Sequence, residues 1–148
     1  MIELLVVIAI IGVLSSIVLV SLNAARAKAR DAQRVSEVQE IAKALTAYYV
    51  DNGSFPPNPY GIAVMSSDAN FLPDLVSGGY MKQLPQGPQA DSYGYYNYGP
   101  GGVGAVIKTT LETDAPNTTG RPGSCREFGD NWCSGTNANT DYCLCLKH

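Results

Sequence analysis

The sequence predicts an α+β protein in the shape of a ladle, with a long N-terminal α-helix packed on a small antiparallel β-sheet of three or four strands. Three observations support this prediction. A helical pattern runs without Gly or Pro from Leu22 to Asn52-Gly53, two strand-like segments flank a glycine-rich turn, and all four cysteines lie in the last part of the chain. We therefore divide the chain into a helix, residues 1–52, and a globular head, residues 53–148.

The helix begins with an apolar part, residues 1–22, whose single charge is Glu3. The stretch from Leu4 to Leu22 carries no charge, and such a length of helix is close to what a bilayer requires. A carboxylate beside an apolar run is costly to bury, so Glu3 is expected to have a partner. The alternative is a signal anchor whose Glu3 lies among lipid headgroups.

The second part of the helix, residues 23–52, is amphipathic. Apolar residues recur at three- and four-residue steps and predict a buried stripe: Val35, Val38, Ile41, Ala42, Leu45, Tyr48 and Tyr49. Charged pairs three residues apart are expected to form on the surface: Asp31/Arg34, Arg34/Glu37 and Glu40/Lys43. Gly53 is the expected C-terminal cap, and the following prolines block further helix. This part of the helix must therefore pack on the head.

The head shows short elements. Residues 70–76 predict a short helix or turn, residues 93–98 and 103–112 predict a hairpin, and residues 142–146 predict a last strand. Alternation places Tyr93 and Tyr95 on one face of the sheet and Tyr96 and Tyr98 on the other, so one pair is expected to face the helix. An adhesive surface of these tyrosines is the less favoured alternative to sheet packing.

Charge and catalytic motifs exclude several function classes. The net charge is −3, with +1 through Lys43 and −4 in the rest, so charge alone gives no argument for nucleic acid. The lone histidine is terminal, and neither a nucleophile elbow nor a phosphate-binding loop is present. We therefore expect no enzymatic activity.

The four cysteines predict disulfides in an exported head. Cys143 and Cys145 would point to the same side of a strand, so a bond between them is not expected. Two pairings stay open: Cys125–Cys143 with Cys133–Cys145, or Cys125–Cys145 with Cys133–Cys143. Zinc is the competing interpretation, but the sequence has no C-x-x-C pair.

The segment IELLVVIAIIGVL closely resembles the N-terminus of type IV pilins and of the related pseudopilins of type II secretion. Ile2, Glu3, Leu4 and Leu5 match the family's Ile-Glu-Leu-Leu motif. The leader peptide of that family does not precede them here, and no helix-kinking proline occurs near Val20. Gly12, with the neighbouring serines, is the remaining weak helix former.

The resemblance implies a structural subunit that waits in the cytoplasmic membrane and then polymerises through its apolar helix. It implies processing by a prepilin peptidase, an inner-membrane assembly platform and a homo-oligomeric helical filament on the cell surface. It also implies that Glu3 meets the N-terminal amine of a neighbouring subunit. We prefer a type IV pilus subunit because the cysteine-rich tail resembles that of many pilins.

Two alternatives stay open. A major pseudopilin of type II secretion fits the Leu84-Pro85…Pro88 loop and the missing helix-kinking proline. A membrane-anchored extracellular binding domain that does not polymerise is the alternative from another class.

Further candidate sites depend on composition alone. Asp130 and Asp141 offer oxygen ligands for Ca²⁺, although no defined calcium loop is present and the main expectation is no cofactor. Asn117 begins an N-x-T sequon. The basic cluster Arg26, Lys28, Arg30 and Arg34 is expected to mark the end of the apolar segment or to pair with acids on neighbouring subunits.

Overall fold

The computed structural model describes residues 2–58, 63–89, 93–99, 104–113 and 140–147, and for residues 16–21 it describes the backbone alone. The elements of this part are helices α1 (Ile2–Asn52) and α2 (Pro73–Ser77) and strands β1 (Val64–Met65), β2 (Gly94–Asn97), β3 (Ala105–Thr110) and β4 (Asp141–Leu146). Helix α1 packs on an antiparallel sheet of order β1-β2-β3-β4. The predicted α+β fold is confirmed.

Helix α1 is one helix of 51 residues whose C-terminal half packs on the head. The predicted stripe forms its buried side, with Val38, Ile41 and Leu45 fully buried against the sheet. At the end of the helix, Gly53 takes a left-handed conformation (φ 71°), and its N–H donates to the Tyr49 carbonyl at 2.8 Å. Gly53 is thus the predicted cap, since a Cβ would disfavour this φ.

The chain that leaves α1 is fastened to strand β2 by polar side chains. Asn58 and Asn97 exchange two hydrogen bonds, from Asn97 N to Asn58 Oδ1 at 3.1 Å and from Asn58 Nδ2 to the Asn97 carbonyl at 3.0 Å. The Tyr95 hydroxyl donates to the Pro56 carbonyl at 2.8 Å. These bonds fix the end of α1 to the sheet at a second place besides the apolar core.

The sheet register places alternate side chains as predicted. Tyr95 pairs with Ile107, and both belong to the core that faces α1 together with Tyr93. Tyr96 and Tyr98 lie on the other face, beside Val106 and the cysteines of β4. The predicted division of the tyrosines between the two faces is therefore confirmed.

The three predicted strands are present, and one strand was missed. Strands β2 and β3 are slightly shorter than predicted, and β4 begins one residue earlier. Strand β1 has two residues, with Val64 opposite Tyr95 and Met65 opposite Gly94. Two residues are too few to show the alternation on which strand prediction depends. Helix α2 overlaps the region predicted as a short helix or turn and ends one residue beyond it.

Thr109 on β3 is a buried polar exception: it is 1% exposed, and its hydroxyl has no hydrogen-bond partner among the described residues. Burying an unsatisfied hydroxyl costs about 1–3 kcal/mol. Replacing it with a methyl group of similar shape should remove that cost. Thr109→Val is therefore expected to raise the free energy of unfolding by about 1 kcal/mol.

Thermal unfolding of the detergent-solubilised chain measures this change. Thr110→Val is the matched control on the same strand, because the Thr110 hydroxyl is engaged by Asp141 at 2.8 Å. Thr110→Val is expected to lower the melting temperature. An unchanged or lower melting temperature for Thr109→Val would contradict the assignment of an unsatisfied hydroxyl.

Candidate functional site

The N-terminal part of α1 extends beyond the head. Among the described side chains of α1, Asp31 is the first buried one in chain order, so roughly 45 Å of helix precedes the packed half. Large apolar side chains on residues 2–15, which we call the apolar arm, are 51–79% exposed: Ile2, Leu4, Leu5, Val6, Val7, Ile8, Ile10, Ile11, Val13 and Leu14. An exposed apolar surface of this extent marks contact with lipid or with another protein.

The residues predicted for assembly all lie in this arm. Ile2, Leu4 and Leu5 are 79%, 73% and 66% exposed, and Glu3 is an exposed acid in the first turn. A Cβ added at Gly12 would meet no atom within 4 Å, so packing within the chain does not explain the glycine. Within the part of the chain that the structure describes, which omits six side chains of this helix, no helix is both long and apolar enough to cross a membrane.

A buried ion network holds α1 to the head where the arm ends. Asp31 is buried, with only 3% of the residue exposed, and both oxygens of its carboxylate accept hydrogen bonds. Asp31 Oδ1 accepts from Arg34 Nη1 and from the Glu112 backbone N–H, each at 2.8 Å. Asp31 Oδ2 accepts from the Thr113 N–H at 3.0 Å and from the Thr113 hydroxyl at 2.6 Å. A carboxylate on the helix thus caps the chain that leaves β3.

The network extends through a second carboxylate. Glu112 Oε1 accepts from Arg34 Nη2 and from Arg30 Nε, each at 2.8 Å, and Glu112 Oε2 accepts from Arg30 Nη2 at 2.5 Å. Arg34, 2% exposed, also donates to Gln89 Oε1 at 3.1 Å. The network therefore joins two carboxylates to two guanidinium groups, and its formal charges cancel.

The pKa values of both acids are lowered. Burial would raise the pKa of Asp31, but the hydrogen bonds from Thr113, from two backbone N–H groups and from Arg34 outweigh burial and lower it. Hydrogen bonds from Arg30 and then Arg34 lower the pKa of Glu112 to about 2. Both side chains are therefore ionised at neutral pH, and the fold depends on that charge.

The adjoining polar contacts connect α1 to the sheet. The Tyr93 hydroxyl donates to Glu37 Oε2, and Gln33 Nε2 donates to Glu37 Oε1 at 2.7 Å. Burial, and then this bond to Glu37, raises the pKa of the Tyr93 phenol, so it stays protonated and acts as the donor. On this side of the network the helix therefore also contacts Tyr93, the residue that precedes β2.

The predicted surface ion pairs need correction. Asp31 and Arg34 do pair, but the pair is buried and is part of the larger network. Arg34 bonds to Glu112 rather than Glu37, and Glu40 with Lys43 is not among the salt bridges of the described residues. The basic cluster likewise divides, because Arg30 and Arg34 are satisfied within the chain. Glu112 and Thr113 were missed, since no local pattern connects residues about 80 positions apart.

Cys143 and Cys145 are both disulfide-bonded, and they share one face of β4. Outside the described residues lie Cys125, Cys133 and the sequon at Asn117. Both predicted disulfide pairings therefore stay predictions.

The calcium site stays a prediction, because Asp130 also lies outside the described residues. Asp141 is 2% exposed, accepts from the Thr110 hydroxyl at 2.8 Å and lies 3.5 Å from Lys108 Nζ. These contacts already engage both of its oxygens. Over the ranges that the structure describes, no three potential metal ligands group together.

Comparisons with known proteins are consistent over most of the chain. Residues 20–122 match the family model described as "Type II secretion system (T2SS), protein G". The chain is 31% identical over 134 residues to Type II secretion system core protein G of Vibrio cholerae, covering 89% of this chain and 88% of that protein. Identity to the protein of the same name from Klebsiella pneumoniae is 33% over 138 residues, with 91% and 93% covered. For the Escherichia coli protein it is 35% over 107 residues, with 70% and 73% covered. No solved structure matches the chain significantly.

Replacing Arg34 tests the network. Arg34→Met keeps an unbranched apolar side chain but leaves the buried Asp31 without its guanidinium, so stability is expected to fall by about 3–5 kcal/mol. Denaturant unfolding of the detergent-solubilised chain measures the loss. Arg26→Met is the control, because Arg26 is exposed and forms no ion pair among the described residues, and it should stay within about 0.5 kcal/mol of the parent. Equal effects of the two substitutions would show that the network contributes nothing specific.

Acid should weaken the same network. Glu112 has a pKa of about 2 in the folded chain against an ordinary value of 4.5, so its contribution is complete above about pH 5. The contribution is lost as the pH falls through 4.5 towards 2, and the lowered pKa of Asp31 acts in the same direction. The melting temperature is therefore expected to fall between pH 5 and pH 2.5, and Glu112→Gln should reduce that fall. A parent and a variant with parallel pH profiles would refute this assignment.

Proposed function

Because the chain belongs to the Type II secretion system protein G family, we propose that it is the major pseudopilin of a type II secretion system. It is a structural subunit that polymerises into a pseudopilus through its N-terminal helix. Processing by a prepilin peptidase and assembly on an inner-membrane platform are part of the same proposal. The observation that carries it is the apolar arm, a helical surface that the head does not cover.

The physical reason for polymerisation is the exposure of the arm. Each apolar side chain that leaves water contributes about 25 cal/mol per Å² of buried area. Ten large side chains that are more than half exposed therefore form a strong driving force for contact with lipid or with other helices. A membrane holds the arm before assembly, and neighbouring arms replace the lipid afterwards.

In this proposal, Glu3 determines how neighbouring helices align when the subunits polymerise. An acid in the first turn of an apolar helix is costly unless a cation meets it in the bundle. A neighbouring subunit offers such a cation at its N-terminal amine. Glu3 thus favours parallel helices in one register over a disordered apolar aggregate.

The family comparison favours a pseudopilin over the type IV pilus subunit that we preferred from the sequence. The motif Ile2–Leu5 is common to both groups and does not distinguish them. The match to the family model covers residues 20–122, which include the amphipathic half of α1 and much of the head. The secretion-system subunit is therefore the better supported of the two, and the surface-exposed pilus is the alternative to test.

A substitution in the arm tests polymerisation. Ile8→Asp places a charge on a side chain that is 58% exposed, so the fold of the head should not change, whereas burial of the arm against neighbours becomes costly. Filaments sheared from cells that overproduce the variant with its secretion system are expected to disappear. Val76→Asp is the control, because Val76 is 40% exposed on α2, away from the arm.

Cryo-electron microscopy of the sheared material gives the second measurement. Filaments that contain this chain in a helical repeat, with Glu3 inside the bundle, are the expected result. Glu3→Val should reach the membrane and yield few filaments. Unchanged filaments from Ile8→Asp would contradict the proposal. Release of no filament by the parent, with the chain retained in the envelope and secretion intact without it, would favour the anchored binding domain.

A further inference from the structure

The charges of α1 between residues 26 and 40 fall into three groups along the helix. Arg26 and Lys28 come first, and both are exposed. The neutral network of Arg30, Asp31 and Arg34 with the head follows. Glu37 and Glu40 come last. The helix thus carries two positive charges on the N-terminal side of the network and two negative charges on its C-terminal side.

The four charges on either side of the network have no counterion among the described residues. Arg26 and Lys28 form no ion pair among the described residues, and the same holds for Glu40. Glu37 accepts hydrogen bonds from Tyr93 and Gln33, but neither donor carries a positive charge. Among the described residues, the charges between Arg30 and Arg34 are therefore paired, and two charges of each sign form no ion pair.

A groove lies beside the two acids. It has a volume of about 400 Å³ and runs between α1 and the segment 81–87. Glu37 and Glu40 line it from the helix, no cation is among its lining residues, and the apolar wall opposite is formed by Met81, Leu84 and Pro85. Long basic side chains lay their aliphatic stems on such a wall and keep the charged end beside carboxylates.

The neighbouring part of the surface limits where a cation can lie. A second groove of about 460 Å³ shares Glu40, Met81 and Gln83 with the first, but two cations, Lys43 and Lys82, are among its lining residues. Like charges repel a basic side chain there. The charge pattern therefore directs a cation to the end marked by Glu37 and Glu40.

We propose that this groove receives Arg26 and Lys28 of a second copy of the chain in the pseudopilus. The inference deepens the proposed function and rests on it, because it requires parallel neighbouring helices. Two copies in the same axial position would place like charges opposite each other. A copy shifted along the axis instead brings its Arg26 and Lys28 beside the two acids of its neighbour. The shift ranges from about 14 Å for Lys28 beside Glu37 to about 21 Å for Arg26 beside Glu40, at 1.5 Å per helical residue.

Exchange of the charges tests the pairing in cells that carry the full secretion system. Glu40→Lys alone and Lys28→Glu alone are each expected to reduce sheared filaments about tenfold, since each places like charges at the contact of Lys28 with Glu40. The double variant Lys28→Glu/Glu40→Lys exchanges these two charges and keeps Arg26 and Glu37, so it should recover most of the loss. Val50→Lys is the control, because Val50 is 75% exposed on α1 and lines neither groove, and its filament yield should stay near that of the parent.

Cross-linking tests the contact directly. Lys28→Cys and Glu40→Cys in one chain lie about 18 Å apart along the helix axis, so a short bis-maleimide should join copies and not residues of one chain. A ladder of covalent oligomers in intact filaments is expected, and each single-cysteine variant should give none. Filaments of normal yield from all charge variants, together with no ladder, would overturn this inference and leave the proposed function standing. Loss of filaments from Ile8→Asp alone, with every charge variant normal, would likewise overturn the pairing and support the proposed function.

Discussion

The position of α1 on the head depends on one buried carboxylate, Asp31. A charge out of water is tolerated only when hydrogen bonds and a counterion replace the lost solvation. Asp31 receives them from Arg34 on its own helix and from Glu112 and Thr113 at the end of β3. Sliding the helix by one residue, or turning it, would leave these groups unsatisfied. The apolar core supplies most of the burial, but the network selects a single placement of the helix among the many that an apolar stripe alone would permit.

That placement also decides which part of the molecule is left for assembly. Among the described side chains of α1, burial starts at Asp31, and every side chain of the apolar arm is exposed. The network neutralises two of the four basic residues near this boundary, and Arg26 and Lys28 form no ion pair with the residues that the structure describes. In the proposed function, folding and polymerisation thus use separate stretches of the same helix and do not compete for the same groups.

The sequence predicted those features that repeat within a short window. The stripe through Val38, Ile41 and Leu45 follows the helical period, and Tyr95 and Tyr96 alternate as a strand requires. The network was not predictable in this way, because Asp31 and Thr113 are joined only after the sheet has formed. Local spacing suggested an exposed pair of Asp31 with Arg34 and missed its burial. The preference for a pilus came from the tail that bears Cys125 and Cys133, whereas the family match is carried by residues 20–122.

The two attachments of the head to α1 have a mechanical consequence. The ion network holds the helix near residue 31, and the Asn58–Asn97 exchange with the Gly53 cap holds its other end, about 30 Å away. A body fixed to a rod at two separated points cannot swivel about either one. Torque applied to the rod is therefore delivered to the sheet as rotation of the whole head. In a rotating or twisting filament of such subunits, the heads on the outer surface would therefore rotate together with the helical core.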